Sequence, residues 1–174
     1  MSRQRGVRRL DDDGGVEIVI GTGERDALAD LAPQLRAVVD GTSDSDLATL
    51  VRDRLFPAAY PDDPERQAEY EELAGDELAQ MHRDALDTFE ATLAGGTTQR
   101  ERWSVRLSGE EAEAWLAAIN DGRLTLATAV GITDESCWDE GPDPEDPASV
   151  LLFYLGWLEE ELVGALQHGL DAAG

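Results

Sequence analysis

The stretch 147–170 constrains this chain more than any other. It carries Val150, Leu151, Phe153, Tyr154, Leu155, Trp157, Leu158, Leu162, Val163 and Leu166, so its first half is apolar on most sides. A helix that is apolar all round must be buried, at the centre of a fold or between subunits. No apolar run in the chain approaches the length needed to cross a bilayer. The expectation is a domain packed round this C-terminal helix, with a homodimer through the same helix as its other use.

The remaining patterns supply the layers around it. Positions 24–39 place Ala27, Leu28, Leu31, Leu35, Val38 and Val39 on one helical face, with Pro33 implying a kink or a late start. Leu47, Leu50, Val51 and Leu55 repeat the pattern over 45–56. Pro64 is placed to open a third helix with Asp63 as N-cap, reaching about Leu73. Gly75-Asp76 reads as a break, and a fourth helix follows to Leu93 with Leu78, Met81, Ala85, Phe89 and Leu93 as its face. Ser108 and Glu111 form a capping box for a helix that reaches about Val130. Short alternating runs at 8–10, 16–20 and 102–107 read as strands, the first two around the turn Asp13-Gly14-Gly15. Thr22 reads as a cap, and Gly95-Gly96-Thr97-Thr98 as a flexible loop. The fold class is therefore mainly α with a small β component (α+β): about six helices around the C-terminal one, with two or three short antiparallel strands. An arginine-containing tail over 1–13, partly disordered, precedes a single helical domain over 14–171, and 131–146 is an acidic loop.

One internal echo is visible. Ile18-x-Ile20 followed by Glu24, Ala27 and Leu28 matches Val105-x-Leu107 followed by Glu111, Ala114 and Trp115, always 87 residues on. Either an old duplication or the common grammar of a strand feeding a capped helix produces such a match.

Charge decides the class of partner. There are 14 basic and 38 acidic residues, a net charge of −24, and every basic residue is arginine. Codon bias in a GC-rich genome or salt adaptation would each produce this composition. Such a field opposes encounter with a polyanion, so it argues against direct nucleic-acid binding and favours a protein partner with a basic surface. Arg3, Arg5, Arg8 and Arg9 are the concentrated positive charge; they define the competing reading, a DNA-binding arm. The single cysteine, Cys137, excludes an intrachain disulfide, and no signal-peptide pattern follows the arginines, so the cytoplasm is the expected location.

A search for chemistry yields little. His82 and His168 stand 86 residues apart, and Cys137 has no CxxC partner, so no metal-ligand pattern appears. Gly21-Thr22-Gly23-Glu24 has the strand–turn–helix context of a phosphate loop but lacks its third glycine, its lysine and its hydroxyl. No serine occupies a GxSxG elbow. His82 reads as a surface or half-buried residue, His168 as a cation favoured by a helix C-terminus. Asn120, Asp121 and Arg123 read as a buried polar cluster. Asp134, Glu135, Asp139 and Glu140 surround Cys137 and disfavour its thiolate, although an intermolecular disulfide stays open to an exposed loop. No catalytic residue, cofactor or metal is read from the chain, and the expectation is a non-enzyme.

Three stretches carry a resemblance: Arg54-Leu55-Phe56-Pro57-Ala58-Ala59-Tyr60-Pro61-Asp62-Asp63-Pro64, the run from Glu113 to Leu124, and Leu155-Gly156-Trp157-Leu158-Glu159-Glu160-Glu161-Leu162. Together they resemble the actinomycete oxidative-stress regulator family (AosR), formerly a bacterial domain family of unknown function. The resemblance implies a transcription-associated regulator that works with a sigma factor or RNA polymerase and senses oxidation through a cysteine pair. The lone Cys137 departs from that pattern and is left as the redox candidate. Among the shared residues, Arg54, Phe56, Tyr60, Asp62 and Asp63 are the candidates for partner binding, since loops carry contacts and Tyr, Phe and Arg make good anchors. Phe56 and Tyr60 plugging the core where the chain turns is the other reading.

Overall fold

The computed structural model describes residues 4–10, 14–132 and 136–171, and no side chains at 136, 137 or 168–171. Its elements in chain order are β1 (Gly6–Arg9), β2 (Val16–Gly21), α1 (Thr22–Val39), α2 (Asp46–Leu55), α3 (Pro64–Tyr70), a π-helical turn (Glu71–Gly75), α4 (Asp76–Gly95), β3 (Thr97–Gln99), β4 (Arg102–Leu107), α5 (Gly109–Ala129), α6 (Ser136–Asp139) and α7 (Pro147–Asp171). The fold is α+β: a small antiparallel sheet, ordered β1-β2-β4-β3, with helices packed on it.

The sheet has four strands where two or three were expected. Thr97–Gln99, read as part of a flexible loop, is β3, turned back onto β4 through Arg100, whose φ is 58°. Three exposed polar residues carry no hydrophobic alternation, so only their pairing identifies them. Gly96 is required beside them, because a Cβ there would lie 2.3 Å from the Trp103 indole. Within the 1–13 segment, Gly6–Arg9 is a paired strand; Asp11, Asp12 and Asp13 lie outside the described residues.

Strand alternation sends Val16, Ile18 and Ile20, with Trp103 and Leu107, into the helical core. Ile18 sits directly opposite Val105, so the two copies of the echo face each other across the β2–β4 pair. Each strand feeds a helix whose first turn is capped alike. Glu24 accepts the Gly21 N–H at 2.7 Å, and Glu111 accepts the Ser108 N–H at 2.9 Å. The cap of α1 is thus Gly21, and Thr22 is the first helical residue instead of the cap. Each hairpin precedes its helix, β1-β2-α1 and β3-β4-α5, as an approximate two-fold through Ile18 and Val105 would place them. This arrangement favours duplication of one hairpin–helix unit over shared local grammar.

The long helix after Pro64 corrects two further expectations. Asp63 caps α3 through the Arg66 N–H at 3.1 Å, as the sequence implies. Gly75 does not break the chain: its φ of −62° and ψ of −42° are helical, and the π-helical turn absorbs it. The buried face of α4 is Ala79, Leu86, Phe89 and Leu93, a regular stripe whose missing step is His82. Met81, assigned to that face by its hydrophobicity, is 64% exposed.

At the centre, Trp115 is fully buried, edge-on to Phe89 at 4.7 Å and stacked with Trp103 at 6.2 Å, and its indole N–H donates to Thr92 Oγ1 at 2.8 Å. Arg36 ties α1 to α4 by donating to Glu90 (2.5 Å) and Asp87 (2.7 Å), and the Glu90 hydrogen bond above all raises its pKa. Helix α7 buries Leu152, Leu155, Leu158 and Leu162 against α5 and the sheet, and its other faces are half-buried or exposed. Gly122 lets α5 approach this layer, since a Cβ there would lie 2.9 Å from Leu31 and 3.1 Å from Leu155. In the acidic loop, Trp138 packs on Phe153 at 5.2 Å and the Arg123 guanidinium lies 5.7 Å from its ring.

Candidate functional site

The partner-binding candidates from the sequence fall on the segment that leaves α2, and the structure gives them different jobs. Leu55 is buried and anchors the end of α2. Phe56 follows in a non-helical conformation and is half-buried, its ring edge-on to His82 at 5.1 Å. The Arg52 guanidinium lies 5.0 Å from the Phe56 ring and donates to the Val38 and Val39 carbonyls at 2.8 and 2.6 Å. These carbonyls end α1, so one arginine closes a helix terminus and braces an aromatic ring.

Tyr60 is half-buried under Arg66, whose guanidinium lies 4.4 Å from its ring, and meets Tyr70 edge-on at 6.2 Å. Its backbone N–H donates to Gln67 Oε1 at 2.9 Å. Asp63 serves as the α3 cap. Asp62 is exposed, and Arg54 is exposed while donating to Thr128 Oγ1 at 3.1 Å. Phe56 and Tyr60 are thus packed, and Arg54 and Asp62 are presented to solvent. The Cys137 side chain lies outside the described residues, as does that of His168.

Beneath Phe56 is a polar pair that sequence reading does not join. His82 Nδ1 donates to Asp121 Oδ2 at 2.6 Å, and the Asp121 side chain is only 2% exposed. An ionised carboxylate can only accept, so the proton of this hydrogen bond is carried by Nδ1 of the imidazole. Thr125 Oγ1 donates to the Asp121 carbonyl at 2.8 Å. Arg123 belongs to a different group, paired with Glu159, and Asn120 is exposed, so the three residues read as one cluster are separate. The separation of 39 positions from His82 to Asp121 hides the pair; its signal is the position of His82 in the α4 stripe.

The surface of α2, α3 and α4 has a second property. Leu50 (57% exposed), Leu47 (41%), Leu73 (78%) and Met81 present large apolar side chains to solvent, although the sequence pattern places Leu47, Leu50 and Met81 on inward faces. Helix α3 buries none of its residues. Residues 44–84 carry twelve acidic residues against four arginines. Apolar side chains amid carboxylates suit a partner that is apolar at its centre and cationic at its rim.

Among the described residues, no group of three His, Cys, Asp or Glu side chains could hold a metal ion. Of two clefts among the described residues, one of about 430 Å³ opens at the β1–β2 hairpin and one of about 220 Å³ between β2, the first turn of α1 and the start of β4; His82 lines neither. Among the described residues no helix is long and apolar enough to cross a membrane. Fold and surface define an α+β domain built from two hairpin–helix units, with exposed apolar residues within its acidic helical stretch 44–84.

Residues 4–166 match the family described as Domain of unknown function (DUF2017), and the chain belongs to that family. No curated protein and no solved structure matches it.

Proposed function

We propose that the protein is a non-catalytic regulator that docks on a cationic face of a sigma factor or RNA polymerase component under oxidative stress. The observation that carries the docking is the set of exposed apolar residues, Leu47, Leu50, Leu73 and Met81, within the acidic stretch 44–84. Exposed apolar groups rimmed by charge mark protein contacts. The resemblance to the oxidative-stress regulator family supplies the transcriptional context. A single cysteine cannot form an intrachain pair, so a disulfide-based response of Cys137 runs through a second chain or a small thiol. Immobilised full-length protein should retain purified polymerase or sigma factor at low salt, and Leu50→Glu with Met81→Glu should abolish retention. Failure of the unaltered protein to retain either ends the reading.

Direct DNA binding through the N-terminal arginines is the competing reading, favoured by their concentration. Against it, Arg5 is ion-paired to Glu24 and Arg8 to Glu17. A low-salt mobility shift by the full chain, lost on deleting residues 1–5, would establish it.

A further inference from the structure

Residues 62–77 overhang the body of the protein. They run from the loop before α3 through α3 and the π-helical turn to the first two residues of α4, and none of them is buried. The first buried residue of the long helix is Ala79. α3 and the turn pack on each other and on α4, which continues them. At the usual rise per residue the helical part of the overhang is about 20 Å long. Tyr60 braces its start: its ring lies under Arg66 at 4.4 Å and edge-on to Tyr70 at 6.2 Å, and its N–H donates to Gln67. Leu73, at 78%, is the most exposed large apolar side chain among the described residues.

Eight of these sixteen residues are acidic, against thirty of the other 158. Codon bias or salt adaptation acts on the whole chain, so neither accounts for a density more than twice that elsewhere. Pairing marks the same difference. On the body, Arg36 holds Asp87 and Glu90, Arg83 holds Asp40, and Arg123 holds Glu159. Among the described residues no carboxylate of 62–77 stands in an ion pair, and the one arginine there, Arg66, lies over the Tyr60 ring instead. Asp63 caps α3 and Glu71 accepts from Gln67 at 2.7 Å, so the partners of both are neutral donors. Glu65 and Glu69 lie one helical turn apart, and like charges so placed destabilise a helix. Cations bound along the overhang would relieve that repulsion.

Resting on the docking reading above, we propose that 62–77 is the element that enters the partner, and that it binds a polypeptide segment whose arginines or lysines flank an apolar residue that covers Leu73. Charge complementarity selects a cation, since eight carboxylates stand against one guanidinium, a net charge of −7. Leu73 selects a polypeptide over a small polycation, which would leave that side chain in water. Among the described residues no group of three His, Cys, Asp or Glu side chains could hold a metal ion, so the carboxylates do not converge as a cation site does. A nucleic acid is repelled by the same charge. A second copy of this chain would bring the full net charge of −24 with it, which disfavours that occupant.

The test is fluorescence anisotropy with the full chain and a short labelled peptide repeating Arg-Arg-Leu. The unaltered chain should bind it at low salt and release it at high salt. Glu65→Gln, Glu69→Gln and Glu72→Gln together should weaken binding about tenfold. Leu73→Gln, which changes no charge, should weaken it about fivefold, and a peptide repeating Arg-Arg-Ser should not distinguish Leu73→Gln from the unaltered chain. Asp30→Asn, Glu110→Gln and Glu113→Gln together, which remove the same charge from the body, should bind as the unaltered chain does. All the altered residues are exposed. No binding by the unaltered chain, equal loss in the body variant or no loss in Leu73→Gln overturns the proposal. So does self-association that the overhang variant abolishes. Retention of polymerase or sigma factor is measured on the same variants. Retention that Leu50→Glu with Met81→Glu abolishes and the overhang variants leave intact overturns this proposal and keeps the docking reading. Peptide binding with the expected dependences, and no retention, ends the docking reading alone and supports the overhang as a site for a basic segment.

Discussion

Removing His82 tests whether the buried pair beneath Phe56 is formed in solution. In His82→Ala the Asp121 carboxylate, 2% exposed, loses the donor that reaches its Oδ2 at 2.6 Å. Breaking a buried pair from one side costs about 3–5 kcal/mol, because the remaining group stays buried without its partner. The His82 ring is itself 18% exposed, so water follows into the space it leaves and holds the cost near the lower end, about 3 kcal/mol. Loss of the edge contact with Phe56 adds about 1 kcal/mol. For a chain of this length the sum lowers Tm by roughly 8–16 °C. Urea denaturation followed by tryptophan fluorescence reads this directly, since Trp103 and Trp115 are buried. The double variant His82→Ala, Asp121→Ala should lose less than the two single losses added, because the second change removes the orphaned carboxylate. A loss below about 1 kcal/mol in His82→Ala, or strict additivity in the cycle, would refute the pairing.

Two glycine substitutions separate steric from helical effects. Gly96→Ala drives a Cβ to within 2.3 Å of the buried Trp103 ring and should cost about 3 kcal/mol. Gly122→Ala meets only the ends of Leu31 and Leu155 and gains about 1 kcal/mol of helix propensity, so its net loss, by the same denaturation assay, should be near 1 kcal/mol. Tyr154→Phe should be neutral or stabilising by about 1 kcal/mol, because the Tyr154 hydroxyl is buried without a hydrogen-bond partner. Burial also pushes the Tyr154 phenol well above its ordinary value of 10.0, more than nearby Arg5 pulls it down. Its contribution is therefore complete below about pH 10 and is lost as pH rises further, a decline that Tyr154→Phe should lessen in alkaline denaturation curves. Peroxide treatment should give a covalent dimer on a non-reducing gel that Cys137→Ser abolishes; a dimer persisting in that variant would rule out the intermolecular disulfide.

What could be read from the sequence follows how local each signal is. The Ser108–Glu111 capping box, the Asp63 cap and the apolar α7 are short-range patterns, and the structure realises all three. Misreadings arise where a residue's class and its position disagree. His82 occupies an inward step of α4 and Met81 an outward one, the reverse of their hydrophobicities, because a carboxylate from α5 is waiting for the imidazole. Leu47 and Leu50 fit an amphipathic pattern, yet the buried side of α2 is Ala48, Val51 and Leu55. A helix of three turns offers more apolar positions than one packing surface needs. β3 was hidden because a three-residue polar edge strand is specified by its partner.

The approximate two-fold leaves the sheet with two unequal edges. Two like hairpin–helix units joined through β2 and β4 would expose two equivalent edges, β1 and β3. The elements after each helix then differ. The second unit is followed by α7, which returns alongside β1 and places Glu161 on the Val7 N–H. The first is followed by α2, α3 and α4, of which α4 packs on β4, and all three residues of β3 stay exposed. One edge is thereby closed by the chain itself and the other stays open beside Arg102 and Arg106. Exposed edges invite pairing unless they are short or charged. This one is three residues long, polar and uncharged, so it resists indiscriminate strand addition by its shortness alone.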